Sequence, residues 1–378
     1  MRVAIDIRRA GDYGVGTYIR NIVGQLARLD GAAQYLLIGS QRNLEELGPL
    51  PPNFQLLPHE FPPGSRKSFL RLPFLLRRHR VELYHVPWFM PLALWLTPCP
   101  FLLTVHDLTT LLYSPARTAA TRAAQLWFAR RSLECASRIL AVSHTAKREL
   151  ARAFQLPESK IDVIYNAVDE RFTREPVPAD ADRILERHAV NFPYVLYAGN
   201  IKPHKNLVRL IEAFAVAKAE LGGFAGLDKL RLLVIGDELT AHPDLRRAVV
   251  RTRVREDVRF LGFVPHPVLR VFYARARAFL FPSLYEGFGL PPLEAMAHGT
   301  PVLTSNVSSL PEVFGEAALL VNPENVFDIA RGIRQILTEQ VLRETLIKRG
   351  YELVKKYSWA RSGEKVREAY AAVAAQGA

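Results

Sequence analysis

The stretch Pro282-Ser283-Leu284-Tyr285-Glu286-Gly287-Phe288-Gly289-Leu290-Pro291-Pro292-Leu293-Glu294-Ala295-Met296-Ala297 sets two carboxylates around a turn too rich in glycine and proline for ordinary core. It follows the apolar run 276–281 (ARAFLF), which reads as a buried strand, and it enters a short helix beginning near Pro291 or Pro292 and ending at Gly299. Proline suits a first helical turn and glycine a helix end. Gly287 and Gly289 let the backbone of Gly287-Phe288-Gly289-Leu290 approach a ligand, and the helix start adds unpaired N–H groups at the positive end of its dipole. That combination is an anion site. With a diphosphate there, Glu286 and Glu294 are poor phosphate ligands but good acceptors for vicinal hydroxyls, one for a sugar and the other for a ribose. Alternatively, Glu294 matches a helix dipole and Glu286 is a solvated loop residue; the stretch alone leaves both readings open.

Working outward, the strand-then-helix pattern recurs along the whole chain. Apolar runs at 2–8, 34–39, 54–57, 82–86, 101–105, 138–142 and 161–165 alternate with helical patterns, which predicts an α/β fold with a parallel sheet. After a polar, proline-bearing segment at 168–192 the rhythm restarts at 194–198, 230–235, 258–261, 277–281 and 301–304. The expected organisation is therefore two doubly wound Rossmann-like domains, 1–185 and 186–356. A C-terminal helix, 357–378, follows the break at Tyr357-Ser358-Trp359 and is able to pack back on the N-terminal domain. In this architecture ligands sit just after the carboxyl ends of strands, so motifs are sought there.

The exit of the strand at 194–198 reads Gly199-Asn200-Ile201-Lys202-Pro203-His204-Lys205-Asn206 before a helix with Leu207, Leu210, Ile211 and Phe214 on one face. Lys205, at the helix entrance, is placed to neutralise phosphate charge. The second glycine of a GxxxxGK[ST] loop is missing, so a Walker-type nucleotidase is not supported. The first strand runs into Gly11-Asp12-Tyr13-Gly14-Val15-Gly16-Thr17-Tyr18, a glycine loop that suits a phosphate through Gly14 and Gly16. The next strand lacks a terminal acid for a dinucleotide ribose, which disfavours an NAD enzyme. His106 and Asp107 end the strand at 101–105, where a histidine faces the cleft or serves as a structural hydrogen-bond partner. Ser143 reads as a helix N-cap, and Asp180-Ala181-Asp182 as capping of a helix at 183–188 rather than a metal motif. No metal site is expected.

The chain has 378 residues, 49% hydrophobic and 23% charged. That is soluble globular usage. Met1-Arg2-Val3-Ala4-Ile5-Asp6-Ile7 begins as a strand without signal-peptide character, and the expectation is a cytoplasmic protein. Cys99 and Cys135 read as reduced core thiols. The apolar run 86–105 carries Pro87, Pro91, Pro98 and Pro100 and reads as a short helix plus a buried strand, not a membrane span. A net charge of +13 asks for an anionic partner. The basic residues are spread over both halves with no recognition motif, so nucleic acid is not expected. One segment stands out: residues 66–80 hold six Arg or Lys and no acid around Phe69, Leu70, Leu72, Phe74, Leu75 and Leu76. That composition fits an amphipathic helix on an anionic membrane, or an ordinary surface helix interrupted by Pro73.

With these residues placed, the chain resembles the retaining GT-B glycosyltransferases of the group-1 kind, family 4, over almost its whole length. Glu286 and Glu294 match the family's E-x7-E motif, Lys205 its phosphate lysine, and Phe260-Leu261-Gly262-Phe263-Val264 its nucleobase-contacting strand exit, with Phe263 on the donor. Gly14-Val15-Gly16 resembles its glycine loop under the diphosphate, His106 its sugar-facing histidine, and Tyr165-Asn166-Ala167-Val168-Asp169 its N-G-V-D segment, with Ala167 replacing glycine. Asn200 stands where many members carry a second phosphate cation, an arginine. The resemblance implies two Rossmann-like domains facing each other across a cleft, the N-terminal one on the acceptor side and the C-terminal one on the donor side. It further implies transfer of a mannose- or glucose-type hexose from GDP-mannose or a UDP-sugar to a glycan or lipid-linked acceptor, with retained configuration and no metal or cofactor. A nucleotide-sugar epimerase or hydrolase on the same scaffold is the alternative.

Overall fold

Two sets of buried apolar runs become two parallel sheets in the computed structural model, which describes residues 1–89, 94–112, 118–173, 177–236 and 242–376. The first sheet contains β1 (Arg2–Asp6), β2 (Gln34–Gly39), β3 (Phe54–Pro58), β4 (Leu83–Val86), β5 (Phe101–Val105), β6 (Arg138–Ala141) and β7 (Ile161–Val163), in the order 3-2-1-4-5-6-7. The second contains β8 (Tyr194–Ala198), β9 (Arg231–Ile235), β10 (Val258–Gly262), β11 (Ala278–Phe281), β12 (Val302–Ser305) and β13 (Leu319–Val321), in the order 10-9-8-11-12-13. Their central strands are buried on both faces, as in helix-covered parallel sheets, and read as continuous apolar runs, whereas the edge strands β3, β7, β10 and β13 are only partly buried. Strand order reverses between β1 and β4 in one sheet and between β8 and β11 in the other. Those are the positions where this topology opens a crevice for ligands.

The chain divides after Asn166, not at 185. The first compact unit is Met1–Asn166 with Ser358–Ala378, and the second is Ala167–Tyr357. Residues 167–185 read as a linker because they are polar, yet Phe172 is buried and meets the rings of His266, Tyr273 and His298 edge-on. Asp182 also pairs with Arg275 at 3.0 Å. The expected capping bond is absent: Asp180 occupies the N-cap of the Ala181–Arg187 helix without a side-chain bond. Ser143 does cap, accepting from the Ala146 N–H at 3.0 Å.

In the first unit the Trp359–Gln376 helix lies against the Val15–Leu29 helix. It is tied down by polar contacts as well as apolar ones. The Ser362 hydroxyl donates to the Tyr165 carbonyl at 2.6 Å, and Tyr370 Oη meets His85 Nδ1 at 2.7 Å. His85 is fully buried and also reaches Thr104 Oγ1 at 2.8 Å; burial pushes its pKa down to about 3. Within the run 86–105, residues Leu94–Leu96 form a short 3-10 helix before β5, while Pro91 lies outside the described residues. Among the described residues no helix is long and apolar enough to cross a membrane. Cys99 and Cys135 are free but half-buried rather than in the core, and burial pushes the Cys99 thiol up to about 12.

Candidate active site

The exits of β8 and β11, the two strands flanking the reversal in the second sheet, are laced together. The Leu284 N–H donates to the His204 carbonyl at 2.7 Å, and Asn206 Nδ2 donates to the carbonyls of Pro282 at 3.0 Å and Pro323 at 2.7 Å. Asn206 is buried and sits at φ 63°, a backbone region that Asn tolerates better than most residues. This lacing sets Lys205 Nζ 2.5 Å from Glu286 Oε1. Both side chains are about nine-tenths buried, and Nζ also lies 5.2 Å from the centre of the Phe281 ring. Glu286 is therefore not a solvated loop residue. Its backbone is clamped as well: Ser308 Oγ accepts from the Glu286 N–H, and the Ser308 and Ser309 hydroxyls donate to the Glu286 carbonyl at 2.6 and 2.8 Å.

The following turn ends at Gly289, whose φ of 96° excludes most side chains, and an added Cβ would lie 3.0 Å from both Leu310 and Phe314. The helix runs Leu290–Ala297, one residue earlier than the prolines suggest, with Gly289 as N-cap and no side-chain cap. Pro291 and Pro292 lack N–H groups, so the donors left at this helix start are those of Gly289 and Leu290. The Phe288 and Leu290 side chains are buried, Phe288 against Tyr357, so a ligand meets only their backbone. Glu294 lies too far along the helix to match its dipole. It is buried and accepts from Tyr273 Oη at 3.0 Å; burial and this carboxylate push the Tyr273 pKa far upward, which keeps the phenol a donor. Asn200 is half-buried with its carbonyl accepting from Tyr197 Oη, and Lys202 is exposed. Phe263 follows β10 and is 67% exposed.

Gly14, Gly16 and His106 belong to the first unit. Gly14 is exposed, has φ 58° and caps the Val15–Leu29 helix without a side chain, whereas a Cβ on Gly16 would sit 2.4 Å from the Ala10 carbonyl oxygen. The two glycines thus have different causes: backbone conformation at an open helix start, and packing inside the loop. His106 follows β5, places Nε2 3.0 Å from the Pro87 carbonyl and meets the Tyr18 ring edge-on at 5.0 Å. Burial lowers its pKa, so the neutral tautomer with Nε2–H donating to Pro87 leaves Nδ1 as an acceptor. Among the described residues no group of three or more His, Cys, Asp or Glu side chains is placed to hold a metal ion.

Two family descriptions match the chain, Glycosyltransferase Family 4 over residues 13–172 and Glycosyl transferases group 1 over residues 180–353. The chain belongs to the group 1, family 4 glycosyltransferases. Over 242 residues it is 35% identical to O-antigen chain mannosyltransferase B of Escherichia coli, covering 63% of this chain and 61% of that protein. Over 223 residues it is 30% identical to O-antigen chain mannosyltransferase RfbU of Salmonella typhimurium, covering 59% and 57%. The chain thus matches less than two thirds of the length of these relatives. Sucrose-phosphate synthase of Thermosynechococcus elongatus superposes with a TM-score of 0.76 over 100% of both chains at 22% identity, and with it the fold is GT-B. As a family 4 chain, this one carries support residues that motif reading did not single out: Asn206, Ser308 and Ser309. The only available signal was their place just after strands or before helices, which many Asn and Ser residues share.

Proposed function

We propose that the chain transfers a mannose-type hexosyl unit from a nucleotide-sugar donor to a glycan or lipid-linked acceptor, with retained anomeric configuration and without a metal. The supporting observation is the Lys205–Glu286 pair at the β8/β11 strand exits, beside a helix start with unpaired N–H groups. Lys205 and the Gly289 and Leu290 N–H groups take the donor diphosphate, Glu286 takes donor-sugar hydroxyls, Glu294 the ribose, and Phe263 the base. Asn200 lines the diphosphate within the second unit; in the first unit, the family resemblance makes Gly14 and Gly16 candidates for phosphate and His106, with Nδ1 as an acceptor, a candidate for a sugar hydroxyl. The bond from the anomeric carbon to phosphate oxygen breaks, a bond to the acceptor oxygen forms, and the acceptor proton goes to the departing phosphate. No carboxylate is assigned beneath the anomeric carbon, so a front-face route through an oxocarbenium-like state is preferred to a covalent intermediate. The mannose assignment leans on the names of the two relatives.

Thermal-shift screening of GDP-mannose, GDP and UDP-sugars identifies the donor, since a bound ligand raises stability by mass action. Product analysis with that donor and an acceptor glycan, with and without EDTA, then decides the reaction. A new α-linked glycan formed in EDTA supports the proposal. Free hexose without transfer turns it into a hydrolase, and no stabilisation by any nucleotide sugar overturns it.

A further inference from the structure

Two polar residues stand in the buried middle of the first sheet. His85 on β4 is paired with Leu102 on β5, so Thr104, two residues further along, shares its face of the sheet. Both are buried, and their partners come from two helices packed on one another: Tyr18 of Val15–Leu29 and Tyr370 of Trp359–Gln376, neither of them exposed.

The hydrogen bonds have one consistent sense. Thr104 Oγ1 donates to Tyr18 Oη at 3.1 Å, so its single proton is spent and it accepts from His85 Nε2–H at 2.8 Å. His85, neutral because it is buried, then has only a lone pair at Nδ1, which accepts from the Tyr370 O–H at 2.7 Å. A chain thus runs from the C-terminal helix through His85 and Thr104 to the Tyr18 ring. Trp359, the first residue of that helix, meets the same ring edge-on at 6.1 Å, and the Tyr18 ring in turn meets His106 edge-on at 5.0 Å.

Anchoring alone does not require such a chain, since Val366, Ala369 and Val373 of the same helix are buried. Polar groups in a dry interior carry a desolvation cost that full pairing offsets, and what a paired chain adds is one fixed arrangement. His106 needs that. Its Nε2–H is tied to the Pro87 carbonyl at 3.0 Å, but one hydrogen bond there still lets the ring rock about its Cβ–Cγ bond. The Tyr18 ring blocks this rocking and so sets the direction of Nδ1.

We propose that the C-terminal helix orients His106: Tyr370, through His85 and Thr104, and Trp359, directly, hold the Tyr18 ring against the imidazole, which makes Tyr18 and Tyr370 positioning residues for transfer. The inference rests on the reading of His106 as an acceptor for a sugar hydroxyl.

Ring-nitrogen NMR of the intact chain with isotope-labelled histidine tests the chain without a ligand. Tyr370→Phe removes the donor at Nδ1 and frees His85 to take the Nδ1–H tautomer; Thr104 then turns its proton toward Nε2 and leaves Tyr18. The His85 signals should pass from one tautomer to a mixture, and the His106 signals should move with them. Thr104→Val cuts the chain at its middle and should move the His106 signals too, while Thr104→Ser, which keeps the hydroxyl, should lie closer to the unmodified chain. In GDP release from GDP-mannose with an acceptor glycan, Tyr370→Phe and Thr104→Val should lower kcat about tenfold with donor KM within about twofold, the pattern of a misdirected reacting group. Val373→Ala, at a buried position of the same helix outside the chain, should lower melting and leave both readouts unchanged.

Unmoved His106 signals, or wild-type kcat, in both Tyr370→Phe and Thr104→Val overturn the inference. So does an equal kcat loss in Val373→Ala, which would mean helix packing alone. His106→Ala separates this failure from that of the underlying reading. Wild-type kcat there removes His106 from the reaction, whereas a low kcat there beside unmoved signals in the chain variants sinks only the positioning role. If the unmodified chain does not use GDP-mannose, the donor assignment fails and the ring signals alone decide.

Discussion

Lys205→Met removes the ammonium from the β8/β11 pair while keeping most of the side-chain volume. In the free chain it leaves Glu286, 11% exposed, without its cation and still clamped through its backbone by Ser308 and Ser309. Removing one partner of a buried pair typically costs about 3–5 kcal/mol. The residual exposure reduces this to about 2–3 kcal/mol. For a unit of this size that is a drop of roughly 5–10 °C in melting temperature. Glu286→Gln should cost less, because Lys205 keeps the face of Phe281 at 5.2 Å. The double variant should recover about 1–2 kcal/mol relative to the sum of the singles, since it leaves no unpaired charge. Turnover should behave differently. Losing a leaving-group stabiliser costs about 10²–10³ in kcat, and the double variant regains none of it. Calorimetry of the four proteins together with diphosphate-release kinetics reads both quantities. Strictly additive melting shifts would mean the pair does not form in the free chain, and wild-type turnover in Lys205→Met would remove Lys205 from the mechanism.

Three further outcomes are expected. Glu294→Gln should raise the donor KM at least tenfold while Tyr273→Phe leaves KM within about threefold; equal KM changes in both would mean Glu294 acts only through Tyr273. His85 sits in the fold at about 3 against about 6.5 unfolded. Its neutral form therefore contributes stability fully above pH 6.5 and loses it as pH falls toward 3. Denaturant unfolding should show about 3 kcal/mol less stability at pH 4 than at pH 7 from this residue, and His85→Gln should flatten that slope. Gly289→Ala should destabilise by about 1–3 kcal/mol, because both its φ and its contacts oppose a Cβ; unchanged melting would show that the turn relaxes freely.

The strands were legible because parallel strands buried on both faces read as unbroken apolar runs, and the two sheets follow from twelve of them. The exception is β13, Leu319–Val321, a short edge strand with two of its three residues only partly buried, which falls outside the apolar runs read from the sequence. The boundary was misplaced for a related reason. Composition averages over a window, and the acids and prolines of 168–192 outweigh Phe172, whose burial against His266 and Tyr273 depends on partners about a hundred residues away.

The site was legible in its residue types but not in its resting electrostatics. Glycines, prolines and a lysine after strands mark a candidate anion site by local rules, yet Lys205 and Glu286 lie 81 positions apart. Their meeting is a product of the strand order 8-11, in which strands distant in sequence become neighbours. That meeting changes the physical reading of both residues. A nine-tenths buried ammonium waiting alone for phosphate would be costly to maintain; paired with Glu286 it is neutralised until a ligand arrives. On the proposed reading, donor phosphate replaces the carboxylate on Lys205 and a sugar hydroxyl replaces the ammonium on Glu286. One charge pair is exchanged for another of the same kind, so the desolvation of Lys205 is met during folding rather than during binding. A nucleoside diphosphate without its sugar satisfies only half of this exchange and leaves Glu286 unpaired, so the sugar-bearing donor should bind more tightly and stabilise the chain more than its diphosphate at equal free concentration. Glu286→Gln should abolish that difference, and its persistence in the variant would refute the exchange.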